Sequence, residues 1–343
     1  MTHSAETTRL PGTAARPESA AAADQPEMSA AADPAQPSWV HHGGRMVRGD
    51  QATLPVASLA LRYGISVFEG VRLYRQHLPR AEVRPWLLEQ HLERLRNSCR
   101  IMGLDERRCD DVPRVIAELV RANSVTEDSY LRIAASAGNA GGIGDPAETV
   151  LTVSTTPSGR KKWLRTGTGM RLAISDWQRP SAAVFPSAAK NISAYAGPRL
   201  AHAAAAAAGY DNCVLLTSDG LVSEAPTATV FLVEGDRVVT PRLADAVLPG
   251  VTRSWVLATA CALGLRASAE AVTPERLRGA DEVFLCGTGT EFAPVREVDG
   301  LVRAGWPDCP VTTRLVDTYF RQVRGESPAT PVRWDPAAEG VAR

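Results

Sequence analysis

The chain has 343 residues, with 38 Lys and Arg set against 38 Asp and Glu, and 44% hydrophobic side chains. That length allows one large or two ordinary domains, and the balanced charge, with no basic run, excludes nucleic acid or an anionic membrane as the main partner, since both are met with excess positive charge. No stretch reaches the roughly eighteen apolar residues of a membrane span, and the N-terminus has neither the basic start nor the apolar core of a signal peptide, so a cytoplasmic protein acting on small molecules is expected.

Residues 1–37 hold eleven Ala and five Pro, no Val, Ile, Phe, Tyr or Trp, and two Arg against five acids. Such a segment buries too little apolar surface to offset the entropy of ordering, and is expected to be a disordered leader. From Trp39 the composition changes. Trp39–Val47 reads as two short strands around Gly43-Gly44 and opens a small α+β domain over 38–158. Within it, Leu92, Leu95, Cys99 and Met102 fall at helical spacing in a helix from Glu89 that stops at Gly103. Val112–Asn123 reads as a second helix and Ser129–Ala134 as a strand. The run TTPSGRKKWLRTGTG from Thr155 to Gly169 is rich in Pro, Gly, Ser and charge, which places an interdomain linker at 159–169.

A larger domain is expected over 170–328, followed by a tail over 329–343. Met170–Trp177 reads as a strand, Ala196–Ala208 as a helix ended by Gly209, and Asn212–Thr217 as a strand turning at Ser218-Asp219-Gly220. Thr229–Val233 and Arg237–Val239 form a hairpin, Thr252–Leu265 a helix and Glu282–Cys286 a strand. The six cysteines, at 99, 109, 213, 261, 286 and 309, make no C-x-x-C pair and read as reduced core residues. Of the six histidines only His41 and His42 adjoin, without an acidic partner at ligand spacing, so no metal site is expected.

Lysine occurs only at 161, 162 and 190, leaving 38 − 3 = 35 arginines, so amine chemistry has three candidates. Lys161 and Lys162 sit in the hydrophilic linker and read as solvated charges. Lys190 sits among small residues with no acid within five positions. An amine withdrawn from water and from acids suits Schiff-base formation with an aldehyde and later proton transfer; alone, it reads far more readily as an ordinary surface lysine. Gly250-Val251-Thr252 opens an apolar helix, where free N–H groups and a hydroxyl suit a phosphate or simply a helix cap. Gly287-Thr288-Gly289-Thr290 ends a strand, either as a second donor-rich turn or as a turn only. Glu224 suits the nitrogen of a pyridine ring or is a solvent-facing acid, and Tyr195 suits a phenolic oxygen or is a half-buried aromatic.

Together these residues resemble the branched-chain amino acid aminotransferases, within the fold-type IV pyridoxal-phosphate enzymes, over roughly Trp39 to Asp335. The resemblance rests on YGISVFEGVR from Tyr63 to Arg72, Tyr130-x-Arg132, Lys190 with Tyr195 five residues on, Glu224 a further 34 residues after Lys190, and LPGVTR, ADEVF-x-x-GT and PVREVDG. It implies a mixed α+β architecture of two domains, the small α+β domain plus a larger pseudobarrel domain, with pyridoxal 5′-phosphate between them, in a homodimer whose partner loop helps close each pocket. It implies transamination of a branched-chain or other apolar L-amino acid with 2-oxoglutarate as the 2-oxo acid. Lys190 would form the Schiff base and move the α-proton. Glu224 would support the ring nitrogen and Tyr195 the phenolic oxygen. Val251, Thr252 and Thr288 would hold the phosphate. Tyr63, Phe68, Gly70, Arg72, Tyr130, Arg132 and Gly289 would shape the substrate pocket, Arg132 pairing with the distal carboxylate of glutamate.

Four positions depart from that pattern. Leu87 stands where the phosphate-binding arginine is usual, with Arg84 as the candidate replacement; Pro226 replaces a small residue, Thr229 an asparagine, and Ala194 the asparagine before Tyr195. A specialised aminotransferase for an unusual 2-oxo acid in secondary metabolism, a fold-type IV lyase or D-amino acid aminotransferase, and a homologue with weakened cofactor binding are the competing readings.

Overall fold

A computed structural model of the chain describes residues 38–77 and 82–336; the leader at 1–37 and the end of the tail at 337–343 lie outside the described residues. In the N-terminal half, strands β1 (Trp39–His42) and β2 (Arg45–Arg48) flank Gly43 and Gly44, whose φ values of 58° and 90° are those that a tight hairpin asks of glycine. Next come α1 (Leu59–Tyr63), β3 (Ser66–Arg75), β4 (Val83–Pro85), α2 (Leu88–Ile101), α3 (Val112–Ala122), β5 (Ser129–Ala137) and β6 (Thr149–Pro157). The six strands form one antiparallel sheet in the order β2-β1-β6-β5-β3-β4.

Strand β3 does most to place the site. Nine of its ten residues are buried, because both of its faces are covered. Val67, Val71 and Leu73 enter the small-domain core with Leu92, Leu95 and Cys99 of α2 and Val115, Ile116 and Leu119 of α3. By the period of two, Phe68, Gly70, Arg72 and Tyr74 face the other way, towards the C-terminal half.

That half contains α4 (Lys162–Thr166), β7 (Met170–Gln178), α5 (Ala196–Ala207), β8 (Asn212–Leu216), β9 (Thr229–Glu234), β10 (Arg237–Pro241), α6 (Val251–Ala262), β11 (Arg266–Glu270), α7 (Pro274–Gly279), β12 (Glu282–Gly287), β13 (Glu291–Val298), β14 (Leu301–Val302) and α8 (Pro310–Val323). Its eight-stranded sheet runs β11-β10-β9-β12-β13-β7-β8, with β14 beside β13. The sheet is mixed: β10–β11, β13–β7 and β7–β8 are parallel and the remaining pairs antiparallel. The run VFLV in β9 is apolar throughout because Val230 and Leu232 pack on one face while Phe231 and Val233 pack on the other, against Trp255 of α6 and Tyr319 of α8. Among the described residues, no helix is long and apolar enough to cross a membrane.

The segment read as a hydrophilic linker is packed rather than free. It holds α4; the Arg160 guanidinium lies 4.0 Å from the Phe320 ring centre, and the Lys161 N–H donates to Glu291 at 3.1 Å. Lys161 is therefore half-buried, not a solvated charge: its Nζ donates to Ser158 at 3.0 Å, and burial lowers the pKa of its amine. Lys162 is exposed and rests against Trp163. The first part of the expected tail is likewise packed, with Val332 against the α6–α8 core and Trp334 buried.

Candidate active site

A cavity of about 630 Å³ opens between the large-domain-facing side of β3 and β5 and, across from it, the start of α6 and the turn joining β12 to β13. Lys190 reaches it from the connection between β7 and α5, and its backbone is fixed by the small domain. The Lys190 carbonyl accepts from the Phe68 N–H at 3.0 Å, its N–H donates to Ser98 Oγ of α2 at 3.0 Å, and Asn191 bridges to Val67. The side chain ends with Nζ donating to the Tyr195 hydroxyl at 2.6 Å and lying 4.6 Å from the Phe68 ring centre. Gly64 of the YGISVFEG segment supports this arrangement: it has φ +69°, and an added Cβ would fall 2.0 Å from Ser193 Oγ, which itself donates to the Gly64 carbonyl.

Glu224 lines the cavity from beside β8, where the Leu215 N–H donates to its carbonyl at 3.0 Å. Burial raises its carboxyl above the ordinary value, against the pull of Arg179, whose guanidinium stands 2.6 Å away. At another wall, Gly250 precedes α6 and Val251 and Thr252 begin it. Thr252 is 7% exposed and lines the cavity. First-turn N–H groups have no intrahelical acceptor, so this end offers donors to an anion. Thr288 and Gly289 close the same wall, with the Thr288 hydroxyl 3.4 Å from His91 Nε2.

On the small-domain side, Phe68, Gly70, Tyr130 and Arg132 line the cavity. Gly70 pairs with Arg132 across the sheet, and the Tyr130 ring crosses over Gly70 closely enough to leave no room for a side chain there. The Arg132 guanidinium lies 4.0 Å from the Phe68 ring centre. The divergent positions Ala194, Pro226 and Thr229 also face this space.

Three expected site residues lie elsewhere. Arg84 is exposed on β4 and ion-paired with Glu82, so it does not replace the missing cation at Leu87, whose own side chain packs into the apolar α6–α8 cluster. Arg72 shares the Gly70 face of β3, but two residues further along, about 7 Å at strand spacing. There it is fully buried and bonded to Glu291, Ser158 and the Gly159 carbonyl, holding the two domains together rather than lining the cavity. Tyr63 ends α1 at 37% exposure beneath the Arg62 guanidinium and does not line the cavity.

Sequence reasoning gave no role to three arginines that do line it, Arg94, Arg179 and Arg253. Arg94 belongs to a buried cluster: its Nε and Nη2 donate to the two Glu69 oxygens at 2.7 and 2.8 Å, and His91 Nδ1 lies 2.7 Å from Glu69. Glu69 and His91 stand inside the VFEG and QHLERL segments, so the signal was present as motif residues without a role. Arg179 meets Glu224 from 45 residues away, and no local pattern announces such a pair.

The amino-transferase class IV family model matches residues 66–298. The branched-chain-amino-acid aminotransferase of Escherichia coli (strain K12) is 32% identical over 295 residues, covering 84% of this chain and 94% of that protein. Among solved structures, the branched-chain aminotransferase of the archaeon Thermoproteus uzoniensis with norvaline superposes with a TM-score of 0.78 at 32% identity, over 85% of this chain and 96% of that one. The Thermobaculum terrenum branched-chain amino acid aminotransferase in its PLP form gives a TM-score of 0.79 at 28% identity, over 85% and 95%.

Proposed function

The chain belongs to the amino-transferase class IV family and is an aminotransferase, and from that premise we propose that it moves the amino group of a branched-chain or similarly apolar L-amino acid to 2-oxoglutarate with pyridoxal 5′-phosphate as cofactor. One observation carries the reading: the only lysine facing the cavity presents Nζ to a tyrosine hydroxyl at 2.6 Å, with an arginine-held carboxylate in the same space. The cofactor fits the residues present, since the cavity-lining Thr252 hydroxyl and the α6 N-terminus offer what a phosphate needs.

When bound, the cofactor supplies an aldehyde that condenses with amines and a ring that accepts the electrons released at the α-carbon. The protein does the rest. Lys190 would hold the aldehyde end of the cofactor and would carry the α-proton. Tyr195 would serve the phenolic oxygen, Glu224 the ring nitrogen, and Val251, Thr252 and Thr288 would hold the phosphate. Phe68, Tyr130 and Gly289 enclose the apolar side chain, and Arg132 offers its fork to the distal carboxylate of 2-oxoglutarate. The exposed apolar side chains Val56, Leu61 and Ile143, on segments bridged through Ser58 and Ala140, suit a homodimer. Six free cysteines suit the cytoplasm.

A screen of amino donors and 2-oxo acid acceptors on the protein supplied with pyridoxal 5′-phosphate tests the reading. Valine, leucine or isoleucine with 2-oxoglutarate should turn over, and no amino transfer from any of the three rejects it. The turn around Pro226 and Thr229, which lines the cavity with residues unusual for the family, favours a second reading in which the best acceptor is a less common 2-oxo acid.

Gly70→Ala probes the substrate wall. The new methyl would lie 1.8 Å from the Tyr130 hydroxyl oxygen and 2.5 Å from its ring carbon, so the tyrosine must move into the cavity. The KM of the amino donor should rise by about tenfold, with the protein still folded. An unchanged KM would show that Tyr130 does not bound the substrate.

A further inference from the structure

We infer that Trp334, which lies beyond residues 66–298 of the family-model match, is a positioning residue for the phosphate end of the cavity, acting with Arg94 as a two-donor brace on the Pro249 carbonyl. The inference rests on the cofactor reading above. Pro249 immediately precedes Gly250, the residue that opens α6, and Gly250 brings no side-chain cap of its own. The direction of the first α6 amides is therefore set by how the Leu248-Pro249-Gly250 turn is held. Its Pro249 carbonyl accepts two hydrogen bonds from distant parts of the chain: Arg94 Nη1 of α2 at 3.0 Å and the Trp334 indole N–H at 2.8 Å. Both donors are buried, at 4% and 9% exposure. A carbonyl oxygen has two lone pairs, and here both are occupied, so neither the turn nor the helix start can swing without breaking a buried bond.

Leu87 makes such a brace matter. With an apolar side chain in place of a guanidinium, the charge-assisted contact that could follow a displaced phosphate is gone. Binding must then rely on backbone N–H groups and the Thr252 and Thr288 hydroxyls, which are useful only when already aligned. Thr252, buried and lining the cavity at the start of α6, marks the spot that is held ready.

The test compares two aldehydes on the full chain by calorimetric titration: pyridoxal 5′-phosphate, and pyridoxal, which lacks the phosphate. Trp334→Phe keeps an apolar ring and removes the donor. It should weaken the phosphorylated aldehyde by about fivefold to tenfold while leaving pyridoxal within about twofold of wild type. Trp334→Met, which also lacks a donor, should repeat the discrimination. A wild-type chain that binds neither aldehyde overturns the cofactor reading and this inference with it. A wild-type chain that binds the phosphorylated aldehyde, with variants that match it or that weaken alike on both aldehydes, overturns the brace alone.

Discussion

Lys190→Ala should lower transamination of valine with 2-oxoglutarate by about a thousandfold or more, because it removes both the amine that holds the cofactor and the base that moves the α-proton. The three lysines of the chain divide cleanly. Lys161 is engaged with Ser158 at the domain junction, Lys162 lies exposed against Trp163, and only Lys190 faces the cavity. Its placement does not depend on its own side chain: Phe68 and Ser98, with Val67 bridged to Asn191, fix the local backbone from the small domain, so alanine should leave the turn in place and the fold intact. Borohydride reduction of the wild-type protein in the presence of pyridoxal 5′-phosphate should place the label on Lys190 in a peptide map, and the variant should take up none there. A Lys190→Ala protein within tenfold of wild-type activity, or a label on Lys161, would refute the assignment.

The parts of this site that were legible in the sequence are those where function demands a residue type in a fixed local frame. Lys190 and Tyr195 are five apart in one turn, Val251 and Thr252 open one helix, and Phe68 and Gly70 alternate on one strand, so each group travels as a readable unit. What stayed hidden is held by partners far away in the chain. Arg179 meets Glu224 across 45 residues, and Trp334 meets Pro249 across 85. Helix α8 shows the same at the level of the fold. Its residues include Val311, Thr312, Thr313, Val316 and Thr318, β-branched side chains that weaken a helical reading. It forms because Leu315, Tyr319, Phe320 and Val323 pack on the sheet, and because the Glu282 carboxylate of β12 accepts from the Val311 and Thr312 N–H groups at 3.0 and 2.8 Å. Arg72 and Arg84 misled for the complementary reason. Both are cations near the motif residues, and only the third dimension shows that one is spent on Glu291 and the other on Glu82.

Glu69→Gln should be the most destabilising single change near the site, at about 3–5 kcal/mol, because it leaves the buried Arg94 guanidinium without its counter-charge. The carboxylate, fully buried, accepts from Arg94 through both oxygens and from His91 Nδ1. Burial alone would push the Glu69 carboxyl up; Arg94 and His91 overcome it and bring the pKa down to about 2, from an ordinary 4.5. A carboxyl held low in the folded state contributes stability that is present above pH 4.5 and is lost as the pH falls towards 2. The gap corresponds to about 3 kcal/mol. His91 acts in the same direction at milder acidity: burial lowers its pKa below 6.5, so below that pH the unfolded chain takes up the proton that the folded ring resists. Urea midpoints should therefore decline from about pH 6.5 downward in the wild type, and Glu69→Gln should start lower and lose the portion of the decline that belongs to the carboxylate. Because Arg94 also donates to the Pro249 carbonyl, the variant should weaken pyridoxal 5′-phosphate binding as well. A Glu69→Gln protein within about 1 kcal/mol of wild type, with the same acid dependence, would mean that the cluster contributes little and that the α2 core of Leu92, Leu95 and Cys99 holds this helix by itself.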